Sequence, residues 1–373
     1  MILNGNRHNE TYIYRRVKWP TFEEMEEYPY ITDGSLDFST NAEMKVTGSL
    51  NFEGMETPNT DDLMRVYYQF KDDNGEIGTY PLGTFFVGFS NIEYFETLKG
   101  LKSKGKLDAN SVLKVLKDKK TGTPYIVNRG QNYIYEAQKI IKQFGLSVDY
   151  LPDSQVLTLD HIFEAGTEYL EIVNWLCEQA GYVDAFPDAM GTVILKPLDY
   201  IQKNLTTIEL ENNSQSILYP TIEQQNDFAT TPNVVRYMYD TEHSCVIATA
   251  KNVSGSRNSI DSMGGREITE FEDIADLPQN VNLLNALMER AKEKVVELSA
   301  DVEYVNYEHP YIPMQLYQAI NLIYGTLNWT GAIDEYEINL QTGTKVNAKL
   351  KRVLEQNITL DVTGDIIRNE DDA

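Results

Sequence analysis

The side chain with the greatest nucleophilic potential in this sequence belongs to a cysteine in a strongly patterned segment. Residues 165–182 read AGTEYLEIVNWLCEQAGY and contain Cys177, which could attack a substrate if a histidine base lay beside it. Helical spacing puts Cys177 at the flank of an apolar stripe, where any small hydrophobic side chain suffices. The pattern therefore predicts a core cysteine, and Cys245, in an alternating segment, is predicted to be another.

Metal and acid–base sites need ligands or carboxylates at defined spacings. The four histidines occupy unrelated positions and none stands in an HExxH motif: His8, His161, His243 and His309. Glu335 and Glu337 could serve glycoside hydrolysis, but on a strand they share one face, which is typical of a solvated surface. GxSxG, Walker and Rossmann motifs are absent, and DDNGE lacks the pattern of a calcium-binding loop. The sequence predicts no catalytic, cofactor-binding or metal-binding residue.

One aromatic residue in the same segment lies on an unexpected side. Helical spacing groups Trp175 with Glu168, Glu171 and Glu178, opposite the apolar stripe. A large aromatic side chain on the polar side of a helix predicts either a second packing layer or a contact with a partner. Both interpretations stay open, and Trp175 is the candidate interface residue.

Two short helices must position these side chains. NYIYEAQKIIKQFG has apolar residues on one face, with Asn132 placed to cap the helix and Gly145 to end it. The second helix contains Cys177, with Thr167 predicted as its N-cap and Gly181 as its end. A strand, TVILKPLD, follows. Residues 108–215 are therefore predicted to form a small α+β lobe.

The segments on either side of the lobe alternate with a period of two, as β-strands do. MKVTGSLNF and LMRVYYQF lie in residues 31–107, where Asn74-Gly75 suits a tight hairpin turn. Residues 216–368 contain the strand pair NVVRYMYD and SCVIATAK, a Gly/Ser-rich loop, the helix VNLLNALMERAKEKVVEL and a final hairpin around QTGT.

These patterns predict an α+β fold that is mainly β. Two antiparallel β-barrel domains, residues 31–107 and 216–368, flank the lobe, because closure or partner pairing would hide their strand edges. The second domain carries the inserted loop and helix. Residues 1–30 are predicted to be an irregular N-terminal arm and 369–373 a charged tail.

Charge and composition exclude several functions. The formal net charge is −25, whereas gripping nucleic acid requires clustered cations, so no specific nucleic-acid binding is expected. No run of about 18 apolar residues exists, so no membrane insertion is expected. The N-terminus lacks an apolar signal-peptide core, and two unrelated cysteines favour intracellular synthesis.

The segment around Cys177 resembles the signature of phage tail hub proteins from viruses of Gram-positive hosts. That signature is F-x-A-G-T, then L-E-I-x-N-x-L and A-G-Y, followed by a D-x-x-G turn and a strand. The matching residues are Phe163, Ala165, Gly166, Thr167, Leu170, Glu171, Ile172, Asn174, Leu176, Ala180, Gly181, Tyr182, Asp188 and Gly191. Later segments, TPNVVRYMY, ELSADVEY and HPYIPMQLYQAINL, also resemble this family, so the similarity covers about residues 31–365.

The resemblance extends to myophage baseplate hubs, type VI spike bases and the hub part of siphophage tail-associated lysins. It implies a structural homotrimer in which two barrels per chain adapt the sixfold tail tube to a threefold tip and leave a channel for DNA. It implies contacts with the tail tube or a distal tail protein, the tape measure protein and other baseplate or fibre proteins. The expected location is the virion tail tip, after synthesis and assembly in the host cytoplasm.

Two other functions remain open, and both would be features of a virion protein. A receptor- or carbohydrate-binding protein could use the many tyrosines and Trp19, Trp175 and Trp329 as stacking platforms. A cell-wall hydrolase could use acidic residues or Cys177. Many lysins carry lytic or fibre modules beyond the hub, and because this sequence ends at Ala373 none is expected in it.

Overall fold

The computed structural model divides the chain into two compact units, which are described separately. Unit 1 comprises residues 1–222 and 306–350, and unit 2 comprises residues 223–305 and 351–373. The structure describes these residues: 8–71, 77–157, 160–212, 218–219, 221–226, 230–240, 244–273, 283–299, 301–343, 345–354 and 358–368. Strands account for 52% and helices for 16%, so the prediction of a mainly β fold is confirmed.

Seven N-terminal strands build most of the large sheet of unit 1. They are β1 (His8–Lys18), β2 (Glu23–Glu27), β3 (Ile31–Ser39), β4 (Val46–Gly54), β5 (Leu63–Lys71), β6 (Ile77–Thr97) and β7 (Gly100–Ser111). Their order is β3-β4-β7-β6-β5-β1-β2, with every pair antiparallel. Alternation buries one face: Leu36, Leu50 and Leu107 are fully buried where they meet across strands. The predicted Asn74-Gly75 turn lies outside the described residues.

The prediction of an irregular arm at residues 1–30 is wrong for residues 8–27. β1 pairs along the length of β5, and β2 folds back on β1. Tyr14 and Val17 are both buried although they lie three positions apart, so burial along β1 does not follow a period of two. The usual sequence pattern of a strand is therefore absent here.

The middle of unit 1 is the small α+β lobe. Its elements are α1 (Lys114–Lys117), β8 (Tyr125–Val127), α2 (Tyr133–Gln143), β9 (Val148–Tyr150), β10 (His161–Phe163), α3 (Tyr169–Gln179), β11 (Phe186–Pro187), β12 (Val193–Leu195) and α4 (Leu198–Asn204). Two small sheets, β10-β8 and β11-β12-β9, accompany the helices, and α2 and α3 share one apolar core. Both predicted helices are confirmed.

The structure confirms the predicted helix ends with one exception. The Asn132 side chain accepts the backbone N–H of Tyr135, and Gly145 and Gly181 have φ of +77° and +72° after their helices. Thr167 does not cap α3. Its hydroxyl donates to the Glu164 carbonyl oxygen at 2.8 Å, so the N-cap position falls to Glu168.

Six later strands join the large sheet. They are β13 (Ile208–Glu211), β14 (Ile222–Asn226), β18 (Asp301–Pro310), β19 (Ala319–Tyr324), β20 (Leu327–Asn339) and β21 (Lys345–Leu354). In unit 1, β20 pairs antiparallel with β3 and lies beside β21, which confirms the predicted final hairpin. β19 pairs with β20 and, in parallel, with β13.

The described residues of unit 2 contain a four-stranded sheet with one helix packed on it. Its elements are β15 (Val234–Asp240), β16 (Ser244–Ser254), β17 (Thr269–Asp273), α5 (Leu283–Ser299) and β22 (Thr359–Arg368), in the order β17-β15-β16-β22. β15 and β16 pair antiparallel as predicted. Leu287, Ala291 and Val295 of α5 are fully buried against the sheet, as the helical spacing predicts.

The prediction of two closed barrels is not confirmed. Within the described residues, no sheet closes on itself. The strands of unit 1 end at β2, whose outer edge has no partner strand there, and the sheet of unit 2 has β17 and β22 as its two edges. Alternating sequence patterns specify which face is buried, but closure depends on strand number, tilt and stagger. The predicted domain boundaries stay a prediction.

Candidate functional site

Cys177 is a packing residue of α3. Its side chain is fully buried in the lobe core, as the sequence predicts. Burial, together with the charge of Asp184, raises the pKa of the thiol well above its ordinary value. Nucleophilic attack requires the thiolate, so this environment disfavours the reactive form. Cys245 is half-buried on β16.

The candidate metal ligands do not come together in the described part of the chain. Among the described residues, no three side chains of His, Cys, Asp and Glu are grouped so as to hold a metal ion. His309 is buried with Nδ1 2.6 Å from the Pro310 carbonyl oxygen, and His243 lies outside the described residues.

In the part of the chain that the structure describes, no helix is long and apolar enough to cross a membrane.

Trp175 is covered by aromatic neighbours of the lobe. Its ring stacks on His161 with centroids 3.9 Å apart, and Phe163 meets it edge-on at 5.3 Å. Tyr133 of α2 lies at 6.2 Å, and the indole is partly buried against the lobe core. Trp175 therefore forms the second packing layer that was one of the two alternatives. An interface role for it stays a prediction.

The signature residues around α3 have structural tasks. Asp188 Oδ1 accepts the N–H groups of Met190 and Thr192, and Gly191, with φ of +91°, closes that turn. Asn174 Oδ1 accepts the Ala185 N–H at 3.1 Å. The Tyr182 hydroxyl donates to the Leu151 carbonyl oxygen at 2.8 Å. The signature thus specifies how the lobe turns after α3, and it specifies no reaction.

Buried cations connect the lobe to the large sheet. Arg65 of β5 donates to Thr84 Oγ1 and to the Met190 carbonyl oxygen in the lobe, at 2.8 and 3.0 Å. The Lys45 ammonium donates to Asp184 of the lobe at 2.8 Å, although its side chain is only 2% exposed. These contacts fix the position of the lobe on the large sheet, because breaking a buried charge pair leaves a charge without solvation.

Four neighbouring strands present a continuous polar surface, here called the polar sheet face. Directly opposed residues of antiparallel strands point to the same side. One row runs Glu337, Asp37, Thr47, Asn110, and the next runs Asn339, Ser35, Ser49, Asp108. The polar sheet face comprises Asp33, Ser35, Asp37, Ser39, Thr47, Ser49, Asn51, Lys106, Asp108, Asn110, Glu335, Glu337 and Asn339.

The polar sheet face is acidic and built mostly from short side chains. It holds five carboxylates and one lysine, while the opposite side of the same strands carries the buried core. Asp37 and Glu337 are direct cross-strand partners. Partial burial, with the charge of Glu337, raises the pKa of Asp37. At the β21 side, Lys349 pairs with Glu335 at 3.5 Å and Asn347 donates to Glu337 at 3.3 Å.

The sequence indicated only part of this surface. It placed Glu335 and Glu337 on one solvated strand face, which the structure confirms. It could not add Asp37 or Asp108, because the pairing of β20 with β3 joins residues about 300 positions apart and local patterns do not encode that register. The alternating Asp and Ser of LDFS and GSLDF was the available signal.

Unit 1 also contains a cavity of about 370 Å³. Aromatic side chains line part of it: Phe38, Tyr80, Phe186, Tyr311 and Tyr336. Phe38 and Tyr336 stack in parallel with centroids 4.1 Å apart. A mixed apolar and polar hollow of this size can hold a small ligand.

Comparison with known proteins places this fold. No protein-family model and no curated protein matches the sequence. The structure is similar to the tail protein from Neisseria meningitidis MC58, with a TM-score of 0.63 and 12% identity over 92% of this chain and 97% of that one. The structure is also similar to the 43 kDa tail protein of prophage MuSo2 from Shewanella oneidensis. The TM-score is 0.61 and the sequence identity 14%, over 93% of this chain and 98% of that one.

A chain of the Francisella PdpA–VgrG complex is also similar. Its TM-score is 0.54 at 11% identity, over 93% of this chain and 59% of that one. At these identities the likeness concerns the fold, and it spans nearly the whole of both tail proteins. The chain thus has the fold of phage tail proteins, as its sequence resemblance to the tail hub family implies.

Proposed function

We propose that this chain is a structural hub of a bacteriophage tail tip or baseplate. In this proposal, three copies form an adaptor that closes the distal end of the tail tube and surrounds a channel for DNA. The role is structural and involves no catalytic step. The observation that carries the proposal is the shared fold, which covers 92–93% of this chain and 97–98% of two tail proteins.

The open sheets support a ring of several copies. A strand edge with unpaired backbone groups is completed most simply by a strand of another copy. In the proposed trimer, the sheets of neighbouring chains would continue one another around the axis. The two-barrel arrangement per chain belongs to this proposal, with closure supplied by assembly.

The polar sheet face supports a channel. Its carboxylates and short hydroxyl and amide side chains offer phosphates no clustered cations, so DNA could pass without the counterion release that drives binding. Three chains of −25 give a formal charge of −75. We propose that Asp37 and Asp108 face the lumen.

The partners and location follow from the same proposal. The trimer would contact the tail tube or a distal tail protein on one side, the tape measure protein in the channel, and other baseplate or fibre proteins around it. It would be assembled in the host cytoplasm and reside at the virion tail tip.

The trimer is tested by native mass measurement over a range of concentrations, with negative-stain imaging of the particles. The expected result is a threefold ring with a central hole. A chain that stays monomeric at high concentration and in the presence of tail tubes would contradict the proposal.

The channel is tested separately by reversing lumen charges in the phage. Asp37→Lys with Asp108→Lys should slow DNA ejection and leave the number of tailed particles unchanged, because the new cations would bind passing phosphates. Glu171→Lys with Glu178→Lys is the matched control, since both residues are exposed on α3 and the change in net charge is equal. Equal ejection by the two double variants would refute the lumen assignment.

The aromatic-lined cavity favours a second candidate, receptor or carbohydrate binding. Aromatic rings provide stacking surfaces for sugars, and Tyr80 and Tyr311 both line the cavity. Titration of the protein with host cell-wall saccharides would show binding that Tyr80→Ala abolishes and Tyr135→Ala, an exposed tyrosine of the lobe, preserves. Absence of binding by the unaltered protein would remove this candidate.

A further inference from the structure

We propose that the aromatic-lined cavity of unit 1 binds an uncharged ligand with a flat apolar ring. The inference rests on the second candidate function, ligand binding at this cavity, and it names the chemical class of that ligand as apolar instead of polyhydroxylated. It does not depend on the hub proposal.

The cavity lies where three parts of unit 1 meet: the large sheet, the lobe and the segment between β18 and β19. Residues 80–85 of β6 line it from the sheet, residues 186–190 from the lobe, and most of residues 311–318 from the segment. Its volume of about 370 Å³ lies in the range of small-molecule sites. Voids that hold more than a water molecule are few in a packed protein core, so this hollow is a candidate site.

The lobe side of the cavity is held in place by buried hydrogen bonds. The Arg65 side chain, only 3% exposed, donates to the Met190 carbonyl oxygen at 3.0 Å, and the Thr84 hydroxyl donates to the Ala189 carbonyl oxygen at 3.0 Å. Closing the hollow by moving this wall would break these bonds at a buried cation. The cavity is therefore pre-formed, which spares a ligand the cost of opening it.

Aromatic rings supply the main contact surface for a ligand. Phe38 and Tyr336 are buried, and their rings are parallel within 7° with centroids 4.1 Å apart. Phe186 and Tyr311, each 4% exposed, line the same hollow from the lobe and from the segment before β19. Rings attract other rings in offset-stacked or edge-to-face arrangements, so a flat apolar ring fits this lining.

The polar side chains of the lining are already engaged within the protein. Each of the following bonds to a backbone group: Thr84, Ser111, Asp188, Gln318 and Tyr336. The Ser111 hydroxyl, for example, donates to the Met44 carbonyl oxygen at 2.8 Å, and Gln315 is exposed to solvent. A buried sugar needs a partner for each hydroxyl group and would have to compete with these bonds. An apolar ring makes no such demand.

The charge of the lining excludes anions. Among the described residues that line the cavity, only Asp188 is charged, and the chain carries a net charge of −25. A carboxylate repels an anionic ligand in such a hollow. Two backbone N–H groups already bond to Asp188 Oδ1, which reduces its need for a cationic partner. The site therefore favours an uncharged ligand.

Calorimetric titration of the full chain with three probes tests the ligand class. The probes are indole, indole-3-carboxylate and N-acetylglucosamine. Indole should bind at least about tenfold more tightly than the other two, which add a negative charge or hydroxyl groups. Its heat-capacity change of binding should be negative, because apolar surface is buried. Binding of either other probe as tight as that of indole would overturn the inference.

Methionine methyl groups report where indole binds, without any substitution. Met190 and Met314 line the cavity, whereas Met288 of α5 packs against the core of unit 2. In the nuclear magnetic resonance spectrum of methyl-labelled protein, indole should shift the Met190 and Met314 signals through its ring current and leave the Met288 signal in place. Unchanged Met190 and Met314 signals at saturation would put the ligand elsewhere and overturn the inference.

A substitution that fills the cavity provides the second line of evidence. Ala189 lines the hollow and is half-buried, so Ala189→Leu should occupy part of it and weaken indole binding at least about tenfold. Ala165→Leu, at an exposed alanine of the same lobe, is the matched control and should leave the affinity unchanged. Circular dichroism checks that both variants are folded. Equal affinity of the two folded variants for indole would contradict the assignment.

The outcomes separate this inference from the proposed functions. Saccharide binding that Tyr80→Ala abolishes, without indole binding, overturns the inference and leaves the second candidate function standing. Absence of binding by every probe and by host saccharides overturns both. Neither result affects the hub proposal, which is tested by the oligomer and by DNA ejection.

Discussion

At the scale of single residues, environment decides what a side chain can do. Cys177 is a thiol held in its protonated form by burial, so it serves as a small apolar side chain. Trp175 lies on the polar side of α3, yet the β10 strand folds over it and supplies His161 and Phe163 as cover. Asp37 faces an equal charge on Glu337, an arrangement that costs stability.

Trp175→Ala should lower the free energy of unfolding of the lobe by about 2 kcal/mol, because the side chain is large but only partly buried. Trp175→Phe keeps part of the stacking on His161 and should cost less. Urea denaturation followed by circular dichroism measures both. If Trp175→Ala left stability unchanged and abolished assembly instead, Trp175 would act at an interface and not as a packing layer.

Asp37→Asn should raise the free energy of unfolding at pH 7 by about 0.5 kcal/mol, the usual scale of a cross-strand pair. The raised pKa of Asp37 means that its favourable contribution is present below the ordinary value of 3.8 and is lost as the pH rises through the folded value. The gain should therefore vanish at pH 3, where the carboxyl is protonated. Denaturation at both pH values checks this, and an equal gain at pH 3 would refute the charge explanation.

At the scale of elements, the lobe and the large sheet form unit 1 through buried polar contacts as well as apolar ones. Arg65 enters from β5 and reaches the turn after β11, while Lys45 reaches Asp184 from the residue before β4. These cations lie in the interior because each has nearby oxygen acceptors to compensate its lost hydration. Arg65 binds the Asp188–Gly191 turn of the signature through the Met190 carbonyl oxygen.

Arg65→Ala and Arg15→Ala form a matched pair at the element scale, since both arginines bind Glu24. The Arg65 side chain is 3% exposed and the Arg15 side chain 45% exposed. Removing Arg65 should cost about 3 kcal/mol of unfolding free energy, because it leaves Thr84 and the Met190 carbonyl without their donor. Removing Arg15 should cost at most about 0.5 kcal/mol. Similar losses measured in urea would contradict the role of burial.

At the scale of the whole molecule, tyrosine is the dominant aromatic residue, with 24 copies distributed through both units. Several are buried, and burial raises the pKa of the phenol: Tyr14, Tyr307 and Tyr336. Burial, with the charge of Asp153, raises the pKa of Tyr182 to about 12. The folded state therefore favours the neutral form of these phenols, and the stability of the protein depends on pH in the alkaline range.

Alkaline pH should unfold the protein cooperatively. A raised folded pKa gives stability that is fully present below the ordinary value of 10.0 and is lost as the pH rises through the folded values. Tyrosinate absorbance should rise in step with the loss of circular dichroism, since buried phenols ionise only on unfolding. Ionisation of all tyrosines near their ordinary pKa, with the fold retained, would contradict this.

Much of the fold could be predicted from local patterns. The caps of α2, the buried face of α5, the β15–β16 pair and the final hairpin depend on neighbouring residues, so propensity and periodicity reveal them. The β1–β2 pair was missed because β2, EEMEE, has a single apolar residue and therefore no alternation of apolar and polar side chains. The Thr167 cap was misplaced by one residue, because its hydroxyl has a nearer acceptor in the preceding turn.

The sequence by itself determined the mainly β class, the α+β lobe, the core role of Cys177 and the similarity to tail hubs, since each is written in short-range spacing. Tertiary structure alone decided that Glu337 stands opposite Asp37, that β10 covers Trp175, and that the β6–β7 hairpin extends past β5. These features depend on strand register and on which segments meet. They are set by the summed burial of residues far apart in the chain, which no local segment encodes.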